Sequence, residues 1–78
     1  MGLPQDRLTL MVTFEPGQII RFGYRNWHGK VGTRTARAIR LTYGATEWHP
    51  EPQWLLEALD IEKNDVRLFA LRDMVPAD

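Results

Sequence analysis

Proline and glycine cut this chain into short pieces. Pro16-Gly17, the two glycines of WHGKVG (27–32), and Pro50 and Pro52 in GATEWHPEPQ (44–53) all interrupt regular structure. Proline lacks an amide proton and fixes φ, and glycine favours turns, so these points mark turns and loops rather than the interior of regular elements. Within the pieces, apolar residues recur at every second position, the period of a half-buried strand. LTLMVTF (8–14) puts Leu8, Leu10, Val12 and Phe14 on one side. IIRFGYRNW (19–27) sets Ile20, Phe22 and Tyr24 against Arg21 and Arg25, and Gly23 inside it suggests a bulge or bend.

A third strand is expected over 33–43, TRTARAIRLTY. Strict alternation there divides Arg37, Ile39, Leu41 and Tyr43 from Arg34, Ala36, Ala38 and Arg40. Arg37 would then sit among apolar neighbours, where a guanidinium requires an anion, a carboxylate or carbonyls. WLLEALDI (54–61) has helix-forming composition. It reads better as a strand, because it is short and VRLFAL (66–71) offers an antiparallel partner across EKND. The tail VPAD is expected to fray. Five short strands with tight turns predict an all-β domain: a small, strongly bent antiparallel sheet of about five strands, curled into an SH3-like or Sm-like barrel.

Seventy-eight residues suffice for one domain with a modest core, and 44% hydrophobic with 26% charged residues is a globular composition. No apolar run reaches the roughly 20 residues that span a bilayer, and there is no signal-like N-terminus, so no membrane partner is expected. Cysteine is absent, which excludes disulfides and thiolate zinc sites and suits a cytoplasmic protein. Serine is absent too, and no nucleophile stands beside a base in sequence. Catalysis and a resident cofactor are therefore not expected. His49 between Glu47 and Glu51 falls short of a recognisable metal site, so no metal is expected either.

The formal charge of zero conceals a segregation. Residues 16–46 carry Arg21, Arg25, Lys30, Arg34, Arg37 and Arg40 with no acid, whereas 47–78 hold eight acids against Lys63, Arg67 and Arg72. Two readings follow: the halves neutralise each other as neighbouring strands, or the basic half faces an anionic ligand.

Several features occur in a definite order: Tyr24 ending a strand, a hairpin with Gly29 and Gly32, Arg37-Ala38-Ile39, Trp54-Leu55-Leu56-Glu57-Ala58, and Arg67-Leu68-Phe69-Ala70-Leu71. Across about residues 18–75 this resembles a minimal, diverged WYL domain of bacteria. Leu55 replaces the family's tyrosine, no proline follows Arg37, and the charges at Arg72-Asp73 are exchanged. The resemblance implies a small ligand-binding barrel that recognises a nucleotide or single-stranded nucleic acid, in transcription regulation or in phage and mobile-element biology.

Arg37 and Arg67 are the first candidate ligand-binding residues. Resemblance and strand parity both select them, and convergence in one pocket would let them clamp phosphate bidentately; an internal pair with Glu57 or Asp60 is the alternative. Trp54 and Tyr24 would contact the base or wall the pocket, or anchor the core instead. The competing function is a protein–protein or homo-oligomerisation module, with basic and acidic halves pairing head to tail.

Overall fold

A computed structural model describes residues 15–77. Five antiparallel strands form one sheet: β1 (Ile19–Arg25), β2 (Val31–Gly44), β3 (Gln53–Asp60), β4 (Asp65–Ala70) and β5 (Met74–Pro76), ordered β4-β3-β2-β1-β5. A single 3-10 turn, Leu71–Asp73, links β4 to β5. The expected strand over 8–14 lies outside the described residues. The stretch after the prolines is β3, a strand throughout.

Turn chemistry accounts for the connections. Glu15-Pro16-Gly17-Gln18 closes with the Gln18 N–H donating to the Glu15 carbonyl at 3.0 Å, and Gly17 supplies the positive φ of 86°. At the β1–β2 hairpin the Asn26 side-chain oxygen accepts from the amides of His28 (2.9 Å) and Lys30 (3.0 Å). Asn64, at φ 51°, completes the β3–β4 turn, where the Asp60 carboxylate accepts from the Lys63 amide at 3.3 Å.

The sheet is strongly curled. Three strand spacings separate β1 from β4, about 14 Å in a flat sheet. Yet the Tyr24 and Phe69 ring centroids lie 5.0 Å apart, and the Ala70 N–H donates to the Tyr24 hydroxyl at 3.0 Å. Phe22 completes an edge-to-face cluster, 5.1 Å from Phe69 and 6.4 Å from Tyr24. The rings pack over Ala36, Ala38, Leu56 and Ala58, with Ile20, Leu71 and Met74 around them. Small alanines on β2 and β3 leave the rings room inside so tight a curl. Among the described residues, β4 and β5 remain sheet edges, so the curl does not close into a hydrogen-bonded barrel.

Three local expectations need correction. Gly23 holds no bulge, because β1 and β2 pair in continuous register through it. Its missing side chain instead admits Val75, whose Cγ2 would lie 2.7 Å from a Cβ at that position. The irregularity falls on β2 between Ala38 and Arg40, where the register with β3 shifts. Finally, the tail does not fray before Pro76: Met74, Val75 and Pro76 pair with Tyr24, Gly23 and Phe22.

Candidate functional site

The shift at Ile39 decides where the arginines go. Ala36 and Ala38, not Arg37, turn into the core, being 0% and 2% exposed. The expected division of β2 is therefore inverted over its first half. Arg37 leaves on the outer face, exposed, and its Nη1 donates to the Gly17 carbonyl at 3.2 Å. The extra residue then resets parity, so that Arg40 shares the outer face and meets Glu57 at 3.5 Å. On β1, Arg21 and Arg25 alternate with the core residues Ile20, Phe22 and Tyr24 and so take the outer face too. The outer surface of β1 and β2 thus carries Arg21, Arg25, Arg37 and Arg40, all exposed, on strands that hold no acid.

Arg67 goes the other way. It stands opposite Ala58 and two residues before Phe69, which puts it on the inner face, exposed in the middle of β4. Arg37 and Arg67 therefore share no pocket. Arg67 and Arg34, the latter on the inner face opposite Phe22, both lie close enough to Tyr24 for their charges to act on its phenol. Burial pushes the Tyr24 phenol above its ordinary value and nearby Asp73 adds to that, against the Ala70 amide and the charges of Arg67 and Arg34. Neither Glu57 nor Asp60 bonds Arg37 or Arg67: Glu57 meets Arg40, and Asp60 accepts the Lys63 amide while its Oδ2 is buried without a partner.

Trp54 is no core anchor. In the triplet Trp54-Leu55-Leu56 the two leucines are buried and Trp54 is 54% exposed. It pairs across the strands with Tyr43, centroids 5.3 Å apart and edge to face. The β2–β3 hairpin runs past the core here, and Leu41 is exposed beside them. A groove of about 260 Å3 opens next to it, lined by Pro16, Ala38, Ile39, Arg40, Leu41 and Leu56. The hairpin loops present Trp48, and Trp27 stacked on His28 at 3.6 Å.

The four residues singled out from sequence thus separate into Tyr24 with Arg67, Trp54 with Tyr43, and Arg37 on the outer face. Sequence reasoning missed Arg34 as an inner-face residue and the grouping of Arg21, Arg25, Arg37 and Arg40. No group of three or more His, Asp or Glu among the described residues is placed to hold a metal ion, and no described helix is long and apolar enough to cross a membrane. No family model, curated protein or solved structure matches the chain.

Proposed function

We propose that this chain is a non-enzymatic, WYL-like binding module for an anionic ligand, single-stranded nucleic acid or a nucleotide, serving a regulatory role. One observation carries this reading: four exposed arginines occupy the outer face of two adjacent strands that contain no acid. Guanidinium groups spaced along a strand pair suit successive phosphates, which they bind through charge-assisted hydrogen bonds. Arg37 and Arg25 are the central contacts, while Arg40 shares its charge with Glu57. Trp54, exposed on the other face, is the proposed stacking surface for a base, and the inner-face pair Tyr24 and Arg67 a second contact.

Fluorescence anisotropy with labelled short oligonucleotides tests the reading, with a mononucleotide in a parallel titration. Affinity for a single strand should fall with salt at about −0.7 in log–log slope for each phosphate held. Arg25→Ala and Arg37→Ala should each flatten the slope and weaken binding to all sequences alike. Preference for the mononucleotide would assign a nucleotide ligand. No binding to either probe, or binding indifferent to both substitutions in folded protein, would sink the proposal.

A further inference from the structure

β4 is an edge of the sheet, paired with β3 and with no other described strand. The direction of its backbone groups follows from one bond. The Ala70 N–H leaves the strand away from β3 to reach the Tyr24 hydroxyl. Alternation then turns the amides and carbonyls of Val66 and Leu68 to that same side, which no described strand pairs. β4 is six residues long, without proline or lysine, and its register with β3 is unbroken; the charges it carries are Asp65 and Arg67, one of each sign. β5, the opposite edge, has three residues and ends on Pro76. The side chains of Val66 and Leu68 are exposed on the outer face, 52% and 39%.

We infer that β4 is a self-association edge, with a second copy of this chain pairing antiparallel about a two-fold axis through Val66. In that register the two Val66 residues exchange their backbone hydrogen bonds. Asp65 of each copy stands opposite Arg67 of the other, at the non-hydrogen-bonded positions where cross-strand side chains come closest. Asp65 and Arg67 are both exposed and form no ion pair with a described residue, so both charges are open to such a partner. Sliding the strands by two residues would set Arg67 against Arg67, so charge selects the register. A strand-edge contact buries well under the ~1,200 Å2 of a standard interface, which makes the dimer weak and reversible.

Analytical ultracentrifugation of the full chain, without nucleic acid, tests this independently of the ligand reading. The mass should rise with concentration from the 9.1 kDa monomer toward a dimer. Asp65→Arg alone and Arg67→Asp alone should each weaken association by at least about tenfold, since each creates two like-charge contacts. The double swap, Asp65→Arg with Arg67→Asp, should restore it, and Val66→Lys should abolish it, with a native amide NMR spectrum showing each variant folded. A monomer at every concentration would overturn the inference. So would association that ignores the single reversals, or a double swap that fails to rescue.

Discussion

Tyr24 joins three parts of the molecule that are distant in sequence. Its ring belongs to the Phe22–Phe69 cluster and its hydroxyl accepts from the Ala70 amide, which would otherwise lack a strand partner. Tyr24→Phe should cost about 1 kcal/mol in chemical denaturation at neutral pH, the net worth of one hydrogen bond. Because burial raises the phenol's pKa in the folded state, the protonated form is the one the fold favours. Its contribution is complete below the unfolded value of 10.0 and lost as pH rises through the higher folded value. The stability gap between wild type and Tyr24→Phe should therefore narrow above pH 10.0; a gap that widened there would contradict this account. Gly23 is the other sensitive position. A methyl group there would meet Val75 at 2.7 Å and Val31 at 3.0 Å, both stiff β-branched side chains. Gly23→Ala should destabilise by about 1–3 kcal/mol, with Val75→Ala in the same chain relieving part of the loss.

The turns and β2 carry the consequences at the level of elements. Asn64 adopts a left-handed conformation that glycine tolerates and β-branched residues resist. Asn64→Gly should leave thermal stability nearly unchanged, and Asn64→Val should cost about 1–2 kcal/mol. β2 shows how much one residue matters. Its arginines at 34, 37 and 40 recur every third position, and no regular strand can put Arg37 and Arg40 on one face. The shift after Ala38 does so, turning a sequence that reads as two mixed faces into an inner alanine pair and an outer arginine row. The three-residue spacing was the available signal for an irregularity there, and strict alternation concealed it.

For the whole molecule, the small fifth strand matters beyond its length. β5 covers the outer edge of β1 opposite Phe22 and Tyr24, and Met74 packs against the core. A chain ending at Asp73 should lose its cooperative thermal transition and dispersed amide spectrum, because it bares the edge beside the aromatic cluster. Survival of both would show β5 to be dispensable. Charge segregation is likewise a property of the assembled sheet. β1 and β2 lie together and hold the basic half, while the acidic half supplies β3 and β4. Among the described residues the halves meet in the Arg40–Glu57 pair, which is partly solvent-exposed and worth no more than about 1 kcal/mol.

From residue order alone came the all-β class, the strands now seen as β1 to β4 with their turns, and the two faces of β1. Each depends on near neighbours: apolar residues two apart, a proline beside a glycine, a short polar turn. The inward face of β2, the pairing of Met74–Pro76 with β1, and the opposite exits of Arg37 and Arg67 were settled only in three dimensions. Facing is relative along a strand, so one inserted residue reverses every side chain beyond it. Only packing against the alanines and the aromatic rings decides which side is inside.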